Sequence, residues 1–281
     1  MEHLIDQLIR LAFAEDIGGG DVTTLCCIPG EAFGKAQLIV KEPGIIAGVD
    51  VAQRIFHTFD PDMVINIAIN DGATVVYGSI AFTVEGKVRS LLQTERLVLN
   101  VMQRMSGIAT TTRRYVDALA GTGTRVLDTR KTTPGMRMLE KEAVRIGGGV
   151  NHRIGLFDMI LLKDNHIDFA GGIVPAIAKA RAYVAETKQD LKIEIEVRNF
   201  GELNQVLATG GINRIMLDNF NVADTREAVR LINGRYETES SGGITFDTLR
   251  TYAETGVDYI SVGALTHSVK SLDMSLKRIE R

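Results

Sequence analysis

Apolar and polar positions follow two different rhythms along the chain, with the change near residue 90. Leu4, Ile5, Leu8, Ile9, Leu11 and Ala12 recur at helical spacing and stop at Glu15-Asp16-Ile17-Gly18-Gly19-Gly20-Asp21, which predicts a helix followed by a loop. Between Lys35 and Val88 the apolar runs are short. They fall at 36–40, 63–69, 73–77 and 80–84, separated by Pro43-Gly44, Asp60-Pro61, Asn70-Asp71-Gly72 and Glu85-Gly86, and predict strands joined by turns. One helix, about Val49 to Phe59, interrupts them. The connections are too short for parallel crossovers, so this part reads as a compact α+β unit. Leu91 to Leu119 predicts a long helix or a broken helix pair, with Leu97, Val98, Val101, Met102, Met105 and Ile108 on its apolar side.

From Arg125 onward strand and helix patterns alternate, and each short apolar run ends on a charged or phosphate-compatible group. Val126-Leu127-Asp128-Thr129 leads into Arg130-Lys131, Met159 to Leu162 into Lys163, and Ile193-Glu194-Ile195 into Glu196. Ile215-Met216-Leu217 leads into Asp218, Tyr236 to Ser240 into Ser241-Gly242-Gly243, and Tyr259 to Val262 into Gly263. The later strand ends recur every 22 or 23 residues, room for one strand, one loop and one three-turn helix such as Phe200 to Thr209 or Asp224 to Asn233. In a barrel of parallel strands such ends form one ring facing one cavity. Only six or seven ends can be counted, fewer than a closed eight-stranded barrel needs, so the expected fold is an incomplete, open α/β barrel.

The chain has 281 residues, 45% hydrophobic and 24% charged, with a net charge of −3. That is ample for a sizeable core, and it leaves no global field to attract nucleic acid, so any anion binding must come from a local cluster. The only cysteines, Cys26 and Cys27, are adjacent, a poor geometry for a structural disulfide and a pattern suited to a reducing compartment. Met1 to Asp16 lacks the basic, apolar and small-residue parts of a signal peptide, and no run approaches a membrane span. A cytoplasmic location is expected.

The ring carries such a cluster. Thr129, Arg130 and Lys131 precede a proline-marked turn, and Gly147-Gly148-Gly149 precedes Asn151-His152-Arg153, where small residues permit close approach beside an imidazole and a guanidinium. Lys163 follows a strongly apolar strand; a Schiff-base lysine and an anion-binding lysine both fit. Glu196 and Asp218 end consecutive strands, close enough in a barrel to share a Mg2+ directly or through water. Ser241-Gly242-Gly243 and Ser261-Val262-Gly263 are small-residue loops of the kind that bind phosphate through backbone N–H groups. Each feature alone suits a solvated loop or surface acid. Together they require a ligand with several anionic groups, at least one of them phosphate, and a divalent cation.

These blocks resemble the quinolinate phosphoribosyltransferase family over nearly the whole chain. The similarity runs through Glu15 to Thr24, Glu95-Arg96 with Leu99-Asn100, Ser106 to Thr110, Asp128 to Gly135, Gly147 to Leu156, Leu161 to His166, Leu217 to Phe220, Ser241-Gly242-Gly243 and Ser261-Val262-Gly263. The resemblance implies an N-terminal α/β sandwich domain over 1–107 and an open parallel α/β barrel over 108–266. It further implies a C-terminal segment, 267–281, that packs back on the first domain. It implies a homodimer or hexamer in which Arg96 completes the neighbouring subunit's site. Arg130, His152, Arg153 and Lys163 match positions that hold the substrate carboxylates, and Lys131 matches a lysine between the two substrates. Glu196 and Asp218 match the acids near ribose and Mg2+, with Glu194 on the same strand face as the alternative to Glu196. Ser241, Gly242 and Gly263 match phosphate-binding loops that also contain Gly243, Ser261 and Val262.

The implied reaction joins quinolinate to 5-phosphoribosyl-1-pyrophosphate and yields nicotinate mononucleotide, pyrophosphate and CO2 in NAD biosynthesis. Both substrates are polyanions, so co-binding requires cations and Mg2+ to suppress repulsion. One rival is a paralogue associated with molybdenum transport that takes another acceptor. Another is a non-catalytic phosphometabolite-binding barrel, which has no reason to keep Lys131, Glu196 and Asp218 together. A Schiff-base aldolase on Lys163 is a third. No Gly-x-Gly-x-x-Gly opens a helix after a strand, which argues against a dinucleotide site.

Overall fold

The computed structural model describes residues 2–279 and divides into two compact units. The first contains the chain up to Arg113, then Thr132–Gly148, and then the chain from Ala264 onward; the second contains Arg114–Lys131 and Gly149–Gly263. The first unit opens with α1 (Glu2–Ile17), α2 (Val22–Cys27), β1 (Phe33–Val40), β2 (Gly44–Ile45) and α3 (Val49–Phe59). β3 (Val64–Ile67), β4 (Thr74–Val75), β5 (Ile80–Lys87) and the 31-residue α4 (Val88–Ala118) follow.

The strands of this unit carry the alternation that the pattern predicted. Leu38 and Val40 of β1 are fully buried, and Leu38 lies opposite Phe82 of β5 in an antiparallel ladder. α3 buries Val49, Ala52, Ile55 and Phe56, one stripe at helical spacing, and the Phe56 ring meets Phe82 edge to face at 5.9 Å. Val49's N–H, one of the orphan donors at the helix start, is taken by the Asp71 carboxylate at 2.9 Å. The expected strand at 73–77 shrinks to β4, which pairs only with β2, because the turn at 76–79 breaks the ladder.

In the second unit β6 (Arg125–Leu127) comes first; α5 (Arg137–Ile146) then belongs to the first unit. The second unit resumes with β7 (Ile160–Leu162), α6 (Asp164–Ala170), α7 (Ile173–Thr187), β8 (Ile193–Val197) and α8 (Phe200–Thr209). It continues through β9 (Arg214–Asp218), α9 (Val222–Ile232), β10 (Glu237–Ser241), α10 (Phe246–Ala253) and β11 (Tyr259–Ser261). The chain then returns to the first unit through α11 (Ala264–His267) and β12 (Met274–Arg278), and β12 pairs antiparallel with β1. Residues 280 and 281, the end of the expected C-terminal segment, lie outside the described residues.

The six strands of the second unit form one all-parallel sheet in the order β6-β11-β10-β9-β8-β7. Consecutive strands β6 and β7 therefore lie at opposite edges, and no pairing joins them among the described residues. This is the open barrel that the count of strand ends implied. All five residues of β8 are buried. Ile193, Ile195 and Val197 join the core formed with Ile177, Leu203, Val206, Ile215 and Leu217, each contributing about 1.5–3 kcal/mol of burial. Alternation turns Glu194 and Glu196 to the opposite face. α8 starts where Asn199 accepts from Glu202 N–H at 3.0 Å, and α9 where Asn221 accepts from Asp224 N–H at 2.9 Å.

Candidate active site

The strand ends of the second unit gather most of the expected residues. Beyond β6, Asp128 is fully buried and accepts the His152 backbone N–H at 2.8 Å, which brings the glycine-preceded segment back against the strand end. Thr129 Oγ1 accepts the Lys131 N–H at 3.0 Å, and the Lys131 side chain is exposed. His152 and Arg153 are buried, at 7% and 8% exposure. Burial lowers the Arg153 pKa, and the Arg130 charge adds to the effect, so the two guanidiniums share one neighbourhood. Two cations in one neighbourhood suit a multiply charged anion.

On the other side of the sheet Lys163 caps α6 and places Nζ 3.7 Å from Glu196 Oε2. Burial and the nearby Asp218 charge raise the Glu196 pKa, while Lys163 opposes them. Glu196 thus lies within reach of the Asp218 charge. Glu194, the alternative for this role, instead meets His152. Asp218 accepts from Asn219 Nδ2 at 2.8 Å, and Asn219 N–H donates to Ser241 O at 2.8 Å, tying the ends of β9 and β10 together. Asn219 and Gly242 both have positive φ, +56° and +98°, and a Cβ on Gly242 would collide with the Asn219 side chain. Gly243 follows at φ +63°. Ser261 and Val262 are buried, and Val262 N–H donates to Leu127 O at 2.9 Å, so that amide is spent on the sheet.

The family model for the quinolinate phosphoribosyl transferase N-terminal domain matches residues 21–106, and that for the C-terminal domain matches 108–277. The chain belongs to the quinolinate phosphoribosyltransferase family. Quinolinate phosphoribosyltransferase [decarboxylating] 1b of Nicotiana tabacum is 47% identical over 285 aligned positions, covering 96% of this chain and 81% of that protein. A probable nicotinate-nucleotide pyrophosphorylase [carboxylating] of Bacillus subtilis is 43% identical, covering 98% and 94%. The solved nicotinate-nucleotide pyrophosphorylase of Francisella tularensis superposes with a TM-score of 0.92 at 40% identity, covering 99% of this chain and 97% of that one.

Within this family frame, Arg96 lies exposed on α4 in the first unit, and Lys131, Arg130, Arg153, Lys163, Glu196 and Asp218 lie in the second. Gly147 departs from the loop role expected of it. It is buried, and its ideal Cβ would come within 2.6 Å of both Ala109 O and Thr112 Cβ on α4.

Sequence reasoning named His152 and Glu194 but missed their buried partners Glu239 and Arg214. Glu194 and Glu239 are fully buried, and their carboxylates lie 3.0 and 3.4 Å from His152 Nε2. Arg214 reaches Glu239 at 3.2 Å, Glu194 at 3.9 Å and Glu237 at 3.0 Å, with its guanidinium 4.3 Å from the Tyr259 ring centroid. Burial and the Glu239 charge push Glu194 up to about 7. Burial disfavours a charged His152 while the two carboxylates favour it, and the Arg153 N–H, aimed at Nδ1 from 2.7 Å, opposes a second ring proton. The nitrogen and carboxylate oxygens of His152, Glu194 and Glu239 lie within 4.8 Å of one another, a spacing suited to a metal ion, but Arg214 already supplies the positive charge. The legible signal was the inward face of β8 and β10, where acids alternate with buried neighbours.

Proposed function

We propose that this chain transfers the phosphoribosyl group of 5-phosphoribosyl-1-pyrophosphate to the ring nitrogen of quinolinate with loss of CO2, as a step of NAD biosynthesis. The observation that carries the reading is the opposition, on one set of parallel strand ends, of the Arg130–Arg153 cation pair and the Glu196–Asp218 acid pair. The cation pair suits a pyridine dicarboxylate. The acid pair suits a sugar whose anomeric carbon becomes positive as its bond to pyrophosphate breaks.

In this mechanism Arg130, Arg153 and Lys163 hold the acceptor so that its nitrogen faces the anomeric carbon, and positioning supplies most of the rate. His152 stands beside them in the acceptor site. The nitrogen lone pair forms the new bond as the anomeric C–O bond breaks and its electron pair leaves with pyrophosphate. The ribosylated ring then carries a positive nitrogen. Its charge stabilises the in-plane electron pair left on the adjacent carbon when the carboxylate departs as CO2, and that pair then takes up a proton. Lys131 stands between the two substrates. Ser241, Gly242, Gly243, Ser261, Val262 and Gly263 belong to the loops that receive phosphate; the positive-φ Gly242 and Gly243 suit close approach of anionic oxygen, while the Val262 amide remains bonded to Leu127.

Mg2+ fits the donor set. Glu196 and Asp218 are hard oxygen donors, and the Asp218 charge reaches the Glu196 carboxyl. A bound Mg2+ supplies charge neutralisation for the pyrophosphate. The chain acts as a homodimer, or a hexamer built from dimers, with Arg96 completing the neighbouring site; its exposure on α4 supports that reading. No described helix is long and apolar enough to cross a membrane, and a cytoplasmic site of action accords with the exposed free cysteines.

The test is quinolinate consumption with the sugar diphosphate and Mg2+, following CO2 and nicotinate mononucleotide together, with nicotinate as the control acceptor. Equal amounts of both products from quinolinate, none from nicotinate, and loss of turnover on chelation are expected. Tight binding of both substrates without turnover would refute the reading.

A further inference from the structure

The His152 ring is 7% exposed, and both of its nitrogens already face protein groups. Nε2 lies 3.0 Å from Glu194 and 3.4 Å from Glu239. Nδ1 receives the Arg153 backbone N–H at 2.7 Å. A nitrogen that accepts an N–H needs its lone pair and offers no proton, so the ring proton resides on Nε2, between the buried carboxylates. The backbone around the ring is held as firmly. The His152 N–H is taken by Asp128 at 2.8 Å, and the Asp158 carboxylate takes the N–H groups of Ile154 and Gly155 at 2.7 and 2.8 Å. Arg214, itself anchored by Glu237 at 3.0 Å, stands 3.2 Å from Glu239 and 3.9 Å from Glu194 and sets a positive charge against the buried carboxylates.

We propose that Glu194, Glu239 and Arg214 are positioning residues that act through His152. They fix the imidazole's rotamer and tautomer, and its Nδ1 in turn fixes the backbone of Arg153, so that the Arg153 guanidinium stands beside Arg130 where the acceptor's carboxylate arrives. His152 gives neither ring nitrogen to the substrate. This deepens the proposed function and rests on it for the identity of the acceptor.

Two measurements on the full-length protein test this. Nitrogen-15 NMR of the histidine rings, with His152→Gln for assignment, is expected to show an unprotonated Nδ1 and a protonated Nε2 at neutral pH. Both states should be unchanged when quinolinate is added. A protonated Nδ1, or a ring proton that shifts on adding quinolinate, would overturn the proposal whether or not the protein turns quinolinate over. The second is a double-mutant cycle. Glu239→Gln, which keeps the side chain's shape, is expected to lower kcat/KM for quinolinate by about tenfold or more while leaving KM for the sugar diphosphate unchanged. In an Arg153→Ala background the same change should cost less than about twofold, because the residue it positions is gone. An equal loss in both backgrounds, or equal losses for both substrates, would mean a merely structural role and overturn the proposal. Glu194→Gln serves as the second variant with the same expected coupling. If the wild-type protein consumes no quinolinate, the functional reading fails by itself, and the NMR result still decides the state of His152.

Discussion

Gly147→Ala separates packing from flexibility in the triple-glycine segment. Gly147 ends α5 with φ −68° and ψ −10°, a conformation that any L residue adopts, so alanine meets no backbone strain there. The obstacle is space. The new Cβ would stand 2.6 Å from Ala109 O, 2.6 Å from Thr112 Cβ and 3.1 Å from Ala109 Cα, and both neighbours are fully buried on a 31-residue helix that cannot yield locally. Overpacking of this kind costs about 1–3 kcal/mol, while replacing glycine reduces the freedom of the unfolded chain and returns about 0.4–1 kcal/mol. The expected net loss is therefore roughly 1–2 kcal/mol. Urea unfolding measures it as a lower midpoint at unchanged slope. Gly30→Ala is the control, since nothing lies within 4 Å of its Cβ, and it should stay within about 0.5 kcal/mol of wild type. A Gly147→Ala protein as stable as the control would refute the packing argument.

Three further outcomes are expected. Asp128→Ala leaves the buried His152 N–H without its acceptor and should cost about 1–3 kcal/mol in urea unfolding, whereas Asp128→Asn, which keeps an acceptor oxygen, should cost less. Burial raises the Asp71 pKa above its ordinary value, so the folded state binds that proton more tightly than the unfolded one. Wild-type stability should therefore fall as pH rises from the ordinary carboxylate value through the raised one, and urea midpoints of Asp71→Asn should lack that fall. Lys163 opposes the upward shift of Glu196, so Lys163→Met should push Glu196 higher still and move the acid limb of the kcat profile to higher pH; an acid limb that stays put would separate Glu196 from the rate.

Much of the second unit was legible because each strand announces its own end. Val126-Leu127 runs straight into Asp128-Thr129-Arg130, and Ile215-Met216-Leu217 into Asp218, so an apolar segment stops at the residue whose chemistry matters. Helix α8 falls at the predicted Phe200 to Thr209, with Asn199 as its cap. The β2–β4 pairing was not legible, because two residues per strand leave no period to read. Nor was Gly147's role, which depends on how close α4 comes, a distance that no local pattern encodes.

The sharpest limit lies between Glu194 and Glu196. Alternation puts both on the inward face of β8, about 6.6 Å apart along the strand, and on that evidence they are interchangeable. Their partners are not. Register sets Glu194 beside Arg214 and Arg214 beside Glu237, while the returning loop lowers His152 onto Glu194 and Glu239. One step further along the strand, Glu196 meets Lys163 and feels Asp218. The first acid is walled in with a histidine and an arginine that consume its charge. The second retains 9% exposure and lies among residues from the strand ends. Period two assigns the face, but pairing between strands assigns the partners, so two glutamates two residues apart divide into one enclosed beside His152 and Arg214 and one paired with Lys163.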